Sequence, residues 1–199
     1  MSKLIIGFLA SHGGSNMQSI INACKSGRLN AKPGAVISNN SDSGGLERAK
    51  NEGIPCYHIS SKTHPGSNEH DEAVIKAFRE NNVNIICLAG YMRKLGKKVL
   101  DEYKGRILNI HPALLPKFGG EGMWGLHVHA AVLVSGEKIS GCTVHLVDDD
   151  YDNGRILAQA KVKVLENDTV ESLAAKVLVK EHELYPAVLQ KIAEGIIRL

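Results

Sequence analysis

Short β-rich segments alternate with segments of helical periodicity through the first half of this 199-residue chain. The β-rich segments cover residues 4–10, 34–38, 55–59, 84–89 and 106–110. After the first of them, Met17, Ile20, Ile21 and Cys24 recur at the i, i+3, i+4, i+7 spacing of an amphipathic helix. Because parallel strands need crossover connections, usually helices, this alternation predicts an α/β fold with a parallel sheet.

The second half of the chain predicts a different order of elements. These are a short helix over 126–134, strands over 139–147 and 156–164, and a long terminal helix over 170–197. Asp168 with Glu171 three residues later matches a capping box, which predicts where the terminal helix starts. Since no repeat, low-complexity segment or linker interrupts the sequence, we expect residues 1–199 to form a single domain.

Composition excludes several classes of partner. Lys and Arg total 24 against 21 Asp and Glu, a net charge of +3, and no basic stretch interleaves with aromatic residues, so no nucleic-acid partner is expected. No apolar run approaches the length of a membrane span, and residues 1–9 are too short and wrongly flanked for a secretory signal. We therefore expect a cytoplasmic protein without a membrane partner. The cysteines lie far apart among apolar neighbours, which indicates reduced core thiols.

The segment Ser11-His12-Gly13-Gly14-Ser15-Asn16, called the glycine loop below, joins the first strand to the first helix. Free backbone amides and the positive end of a helix dipole suit such a loop to a phosphate group. A dinucleotide fingerprint is incomplete, because its third glycine is absent and no ribose-binding acid ends the second strand. The alternative is a tight turn in which Ser15 or Asn16 only caps the helix.

Asn109 and His111 stand two apart at the end of the fifth predicted strand, before Pro112. Ligands of open α/β sheets bind at the carboxyl ends of strands, which places both side chains at the edge where a site is expected. An amide can hold a developing oxyanion and an imidazole can polarise it or move a proton. Taken alone, the pair is more typical of a strand-ending hydrogen bonder followed by a turn residue.

An acidic cluster after the predicted strand 139–147 supports the catalytic interpretation. The strand places His145 on the face opposite its apolar residues, and four carboxylates follow within residues 148–152: Asp148, Asp149, Asp150 and Asp152. A calcium loop is excluded, because Asn153 and Gln159 occupy the places of its glycine and glutamate. A solvated turn accounts for most of these acids, and Asp152 is the one we expect to turn inward. An amide, an imidazole and a carboxylate together are the groups that acyl transfer needs.

Two further histidines prompt a metal hypothesis that the sequence does not support. His127 and His129 fall in a predicted helix, where alternate residues point apart, and no glutamate stands at a metalloprotease spacing. We therefore predict no metal site.

Glu181 falls within the apolar stripe of the predicted terminal helix. A carboxylate in such a stripe is costly unless something satisfies it. Either Glu181 lies at the rim and pairs with a lysine, or its oxygens accept hydrogen bonds from ligand hydroxyls. In the second case, a phosphate loop and a hydroxyl-binding carboxylate would together suit a ribose phosphate.

These motifs resemble those of the folate-dependent formyltransferases over nearly the whole chain. The matching segments are Gly14-Ser15-Asn16, Ser38-Asn39 with Gly45-Leu46-Glu47-Arg48-Ala49, Leu88-Ala89-Gly90-Tyr91-Met92-Arg93, Asn109-Ile110-His111-Pro112-Ala113-Leu114-Leu115-Pro116, Val144-His145, Asp152-x-Gly154, and Glu181-His182 before Tyr185-Pro186. The resemblance implies a single-domain, Rossmann-like, mostly parallel twisted sheet with flanking helices. Methionyl-tRNA formyltransferase and formyltetrahydrofolate deformylase share some of these motifs but carry an extra domain, for which this chain has no room.

The resemblance also implies an activity, which is transfer of the formyl group of 10-formyltetrahydrofolate to the amine of phosphoribosylglycinamide without a metal. The residues it assigns are catalytic Asn109, His111 and Asp152 with His145 in support; Gly14, Ser15, Asn16 and Glu181 for the phosphoribosyl substrate; and Arg93, Lys94, Leu95, Asp148, Asp149 and Asp150 for the folate. Residues 1–100 would form the phosphate half and residues 101–199 the catalytic and folate half. The bond between Leu115 and Pro116 is expected to be cis, and the protein to be a monomer or a homodimer.

Two departures from the family pattern affect the site. The glycine loop has His12 and Gly13 where the family commonly has Gly-x, and the segment 118–126, which carries Trp124, is longer than in the shortest members. Two alternative functions remain open: a formyltetrahydrofolate deformylase, in which water replaces the amine, and a non-catalytic nucleotide-binding module that uses only the glycine loop.

Overall fold

A computed structural model of the chain describes residues 3–199. The first residues of the amino-terminal segment, Met1 and Ser2, lie outside the described residues. The strands are β1 (Leu4–Leu9), β2 (Ala31–Ser38), β3 (Cys56–His58), β4 (Ile85–Leu88), β5 (Ile107–His111), β6 (Ile139–Leu146) and β7 (Ile156–Lys163). The helices are α1 (Ser15–Lys25), α2 (Gly44–Asn51), α3 (Ser67–Glu80), α4 (Lys97–Glu102), α5 (Leu126–Val134) and α6 (Val170–Ala193).

One seven-stranded sheet runs through the molecule in the order β3-β2-β1-β4-β5-β6-β7. The strands from β3 to β5 pair in parallel, and β6 is antiparallel to both β5 and β7. This sheet with its flanking helices confirms the predicted α/β class. β2 and β4 lie on opposite sides of β1, so the chain connections leave β1 in opposite directions along the sheet. Such a switch point leaves a crevice at the carboxyl ends of the strands.

The two faces of the sheet are covered by separate apolar clusters. One contains Ile6 and Phe8 of β1 with residues of α1 and α6, and the other contains Leu9 with residues of α3 and α4. Tyr185 of α6 is fully buried, and its hydroxyl donates to the carbonyl oxygens of Leu108 at 2.9 Å and Leu88 at 3.3 Å. The terminal helix is thereby fixed against β4 and β5, the two strands that lead to the site.

The predicted capping box of the last helix is wrong by one residue. The N-cap is Thr169, whose side chain accepts from the amide of Ser172, while Ser172 bonds back to the amide of Thr169. Asp168 instead accepts from the amide of Leu165 and pairs with Lys176. The helix ends at Ala193 and not at residue 197, because a left-handed glycine, Gly195 with φ 74°, follows its C-cap.

Other expectations hold with shifts of one to three residues at element ends. The Leu115-Pro116 peptide is cis, as expected. All four cysteines are free thiols. Within residues 3–199 no helix is both long and apolar enough to span a bilayer.

Candidate active site

The carboxyl ends of β1, β4 and β5 open into a cavity of about 610 Å³. Residues predicted from four separate parts of the sequence line it together: Asn16, Asn109, His111, Asp152 and Glu181. The fold therefore brings the amide, the imidazole and two carboxylates to one crevice. Gly14 and Ser15, which immediately precede Asn16 in the sequence at the start of α1, are not among the cavity-lining residues.

Asn109 is positioned by the pairing of β5 with β6. Its cross-strand partner is His145, and the two side chains meet with Asn109 Nδ2 3.1 Å from His145 Nε2. His145 Nδ1 lies 2.8 Å from the carbonyl oxygen of Leu146, which can only accept, so Nδ1 carries the proton. Nε2 faces both the Asn109 amide and Asp152: in the neutral ring it accepts from the Asn109 amide, which leaves the second N–H of that amide for a ligand, and in the protonated ring it donates to Asp152.

Asp152 turns inward from the loop between β6 and β7. Its φ of 54° lies in the left-handed region, a conformation that aspartate tolerates better than most residues. One carboxylate oxygen lies 3.3 Å from His111 Nδ1 and accepts from the amide of Gly120 at 3.1 Å. The other lies 3.4 Å from His145 Nε2. Asp152 therefore contacts both imidazoles and is the centre of the cluster.

His111 is held at both ring nitrogens. Its side chain is almost completely buried, and Nε2 donates to the carbonyl oxygen of Phe118 at 2.7 Å while Nδ1 faces Asp152. Burial lowers the pKa of His111, and the Asp152 carboxylate and the Phe118 carbonyl act in the opposite direction. To reach a substrate oxygen, Nε2 must exchange the Phe118 carbonyl for that oxygen.

The carboxylate of Asp152 remains ionised despite its position. Burial acts to raise its pKa, but hydrogen bonding to His145, the charge of His111 and the Gly120 amide outweigh burial and lower the pKa below its usual value. A negative charge is therefore maintained beside His111 at neutral pH.

Two further residues that line the cavity, Asn16 and Glu181, form a hydrogen-bonded pair. Asn16 Nδ2 donates to Glu181 Oε2 at 2.7 Å, and Asn16 Oδ1 is buried without a partner among residues 3–199. Glu181 is only 6% exposed and bonds to no lysine in the described range 3–199, so the rim interpretation is wrong. Burial raises its pKa to about 7, with the Asn16 bond acting against this shift.

The glycine loop does not form a simple side-chain cap. The N-cap of α1 is Gly14, which has a left-handed φ of 67° and makes no side-chain capping bond. The alternative in which Ser15 or Asn16 only caps the helix is therefore wrong. His12, the departure from the family pattern, lines the main cavity.

A second, smaller cavity adjoins the first beside Asn109 and Asp152. Its lining includes every residue predicted for the folate: Arg93, Lys94, Leu95, Asp148, Asp149 and Asp150. Tyr151 lines both cavities, and the Lys94 ammonium lies 5.5 Å from the centre of its ring. An elongated ligand could therefore extend from one cavity into the other.

The two histidines of α5 do not converge on a metal. The His127 ring packs edge-on against Trp124 with centroids 4.9 Å apart, whereas His129 is buried and lies near His111. Among residues 3–199 no three or more His, Cys, Asp or Glu side chains are placed so that they could hold a metal ion together. Trp124 is 53% exposed and forms part of the cavity wall.

Sequence reasoning missed the backbone contacts that hold the catalytic cluster. The Phe118 carbonyl and the Gly120 amide bind the side chains of His111 and Asp152, and a main-chain group carries no sequence signature. The four glycines within residues 119–125 are typical of a loop, but they do not indicate which side chains its backbone binds.

Comparisons with known proteins identify the family of this chain and match its fold. A family model described as formyl transferase matches residues 4–189. A phosphoribosylglycinamide formyltransferase of Escherichia coli (strain K12) is 37% identical over 191 residues, covering 96% of this chain and 88% of that protein. A crystal structure of a phosphoribosylglycinamide formyltransferase from Brucella melitensis is 44% identical with a TM-score of 0.89, and 99% of each chain is covered.

A chloroplastic relative is longer than this chain. The phosphoribosylglycinamide formyltransferase of Arabidopsis thaliana is 42% identical over 189 residues, or 94% of this chain, but the match spans only 65% of that relative's length.

Proposed function

The chain belongs to the formyl transferase family, and on that premise we propose that it transfers the formyl group of 10-formyltetrahydrofolate to the amine of 5-phosphoribosylglycinamide. The product is formylglycinamide ribonucleotide, an intermediate of de novo purine biosynthesis. The observation that carries this proposal is the meeting of Asn109, His111 and Asp152 in a cavity that the Asn16–Glu181 pair also lines.

The chemistry follows from the polar groups at the end of β5. The substrate amine attacks the formyl carbon, a new C–N bond forms, and the carbonyl oxygen becomes an oxyanion. The free N–H of Asn109 and the Nε2 proton of His111 would stabilise that charge. When the tetrahedral intermediate collapses, the bond to the folate nitrogen breaks, and the proton lost by the amine ends on that nitrogen.

Asp152 supports these reaction steps through its charge and through proton transfer. Its carboxylate lies 3.3 Å from His111 Nδ1, so it stabilises a second proton on the imidazole. The developing oxyanion adds another negative charge beside the ring, which raises its proton affinity further during the reaction. Asp152 need not make His111 cationic in the free protein, where burial favours the neutral ring.

The two ends of the cavity suit the two substrates. The glycine loop would hold the phosphate through residues 14–16, and Glu181 would accept hydrogen bonds from the ribose hydroxyls. The folate would enter the smaller cavity, where Arg93, Lys94 and Leu95 face residues 148–150. We propose one domain in which residues 1–100 supply the phosphate loop and residues 101–199 supply the catalytic cluster and Glu181.

The test is the initial rate of folate release by the purified protein with and without glycinamide ribonucleotide. We expect release only when the ribonucleotide is present, with one formyl group appearing on the ribonucleotide for each folate released. Release at the same rate in its absence would indicate a deformylase. Ribonucleotide binding without any release would indicate a non-catalytic nucleotide-binding module.

A further inference from the structure

The carbonyl oxygens of residues 11–14 in the glycine loop accept hydrogen bonds from residues that are not among those lining the main cavity. Four consecutive carbonyls accept hydrogen bonds: Ser11 from Asn40 Nδ2 at 2.6 Å, His12 from the Gly45 amide at 2.9 Å, Gly13 from Arg48 Nε at 2.8 Å, and Gly14 from the Gln18 amide at 3.0 Å. The donors come from α1, from the turn after β2 and from α2. The glycine loop is thus held in place through hydrogen bonds to its carbonyl oxygens.

Only one amide of the same loop is paired, that of Ser11, which donates to the Gly90 carbonyl at 3.0 Å. Within the described part of the chain, the N–H groups of residues 12–16 have no hydrogen-bond acceptor. In a planar trans peptide the C=O and the following N–H point in opposite directions. Each carbonyl that is held away therefore turns the next amide toward the open side of the loop, where an anion would collect several of them.

Close packing of glycines brings α2 within reach of the loop. A Cβ on Gly14 would lie 3.1 Å from the Gly45 Cα, and a Cβ on Gly44 would lie 3.3 Å from the Gly13 Cα. The start of α2 therefore packs backbone to backbone against the loop. Arg48, one turn along α2, is consequently close enough to bond the Gly13 carbonyl.

Arg48 is the only charged side chain among the four donors. Its bond to Gly13 fixes the peptide whose N–H belongs to Gly14, the N-cap of α1. Its charge also reaches α6, because burial lowers the pKa of His182 and the Arg48 guanidinium lowers it further. Arg48 therefore bonds the glycine loop and also acts electrostatically on a residue of the helix that carries Glu181.

We propose that Arg48 is a positioning residue for the phosphate of the substrate. By holding the Gly13 carbonyl away from the cavity, it keeps the Gly14 amide directed toward a bound phosphomonoester. This gives a role to the Gly45-Leu46-Glu47-Arg48-Ala49 segment, which the catalytic chemistry leaves without one. The inference rests on the proposed function only in naming the phosphate as that of the ribonucleotide.

The kinetic test compares Arg48→Met and Arg48→Lys with Lys50→Met, a control that removes an exposed charge from the same helix. In Arg48→Met we expect the KM for the ribonucleotide to rise roughly tenfold, because a charge-assisted hydrogen bond is lost. The KM for the folate and the kcat should stay within about twofold, since the catalytic cluster is untouched. Arg48→Lys should fall between, and Lys50→Met should match the wild type. An unchanged ribonucleotide KM, or an equal rise in both KM values, would overturn the proposal.

A titration with inorganic phosphate separates this proposal from the proposed function. Phosphate should raise the Tm of the wild type, and Arg48→Met should need roughly tenfold more phosphate for the same rise. Each variant is compared with its own phosphate-free Tm, so a general loss of stability does not enter. If the protein transfers no formyl group, the proposed function fails and this titration still decides the role of Arg48. No effect of phosphate on the wild type, or identical titrations of all variants, would refute that role.

Discussion

At the scale of single residues, the site depends on how each polar group is satisfied by its neighbours. His145 shows this most clearly, because its Nδ1 donates a hydrogen bond to the Leu146 carbonyl and its Nε2 faces Asn109 and Asp152. The sequence predicts His145 at the site from strand alternation alone. It does not predict that His145 orients Asn109, because that depends on the cross-strand pairing of β5 with β6.

Glu181 provides a prediction of pH dependence. Its pKa in the folded protein, about 7, is above the ordinary glutamate value of 4.5, so the folded state holds a proton that the unfolded state has released between these pH values. Stability is therefore expected to fall as pH rises from about 4.5 to about 7, by up to roughly 3 kcal/mol. Urea unfolding of the wild type and Glu181→Gln at pH 5 and pH 8 measures this loss.

Glutamine is the matched control because it can still accept a bond from Asn16 but does not titrate. The variant should lack the loss of stability between the two pH values. Parallel stability profiles for the two proteins would contradict the raised pKa.

At the scale of secondary-structure elements, the end of β6 and the start of β7 determine where Asp152 lies. The Leu146 amide donates to the Arg155 carbonyl at 2.9 Å, which closes the loop that carries Asp152. The aspartate cluster predicted a loop at this point in the sequence. Its closure depends on how close the two strands approach, which no local pattern indicates.

Gly154 permits that approach, and its substitution tests the loop. A Cβ at this position would lie 1.9 Å from the Leu146 carbonyl oxygen, so Gly154→Ala must move backbone. We expect a loss of about 1–3 kcal/mol in stability and at least a roughly tenfold loss of transfer, because a displacement of about 1 Å at a site is costly. Thermal unfolding and initial rates, measured where the variant is folded, check both effects.

Gly53→Ala is the control for this substitution. Gly53 has a left-handed φ of 66° and open space around it, so the change strains the backbone away from the site. It should reduce stability but leave transfer unchanged. Equal activity losses in both variants would show that Gly154 acts only through overall stability.

At the scale of the whole molecule, the sheet topology assembles residues that lie up to 165 positions apart, as in the bond between Asn16 and Glu181. The alternation of elements predicts the fold class, and strand-end polar residues predict most of the site. The pairing of Asn16 with Glu181 could not be predicted, because it requires the packing of α6 beside α1. The wrong prediction of Asp168 as the N-cap has a local cause. Thr169, the next residue, also has a side chain that can cap a helix, and it accepts the capping hydrogen bond from the Ser172 amide.

The molecule as a whole should work without a metal ion. His127 packs on Trp124 and His129 is buried elsewhere on α5, so the histidines cannot share one ion in this arrangement. Dialysis against a chelator should leave the rate of transfer unchanged. Loss of activity that a single added divalent metal restores would contradict this expectation.

The most direct measurement of the central claim, that the cluster at the end of β5 carries out formyl transfer, is the turnover of Asp152→Asn at saturating substrates. The amide keeps the shape of the side chain but removes the charge that supports His111. We predict that kcat falls by roughly two to four orders of magnitude, whereas binding of both substrates changes by less than about threefold. An unchanged kcat in a folded variant would contradict the mechanism proposed for Asn109, His111 and Asp152.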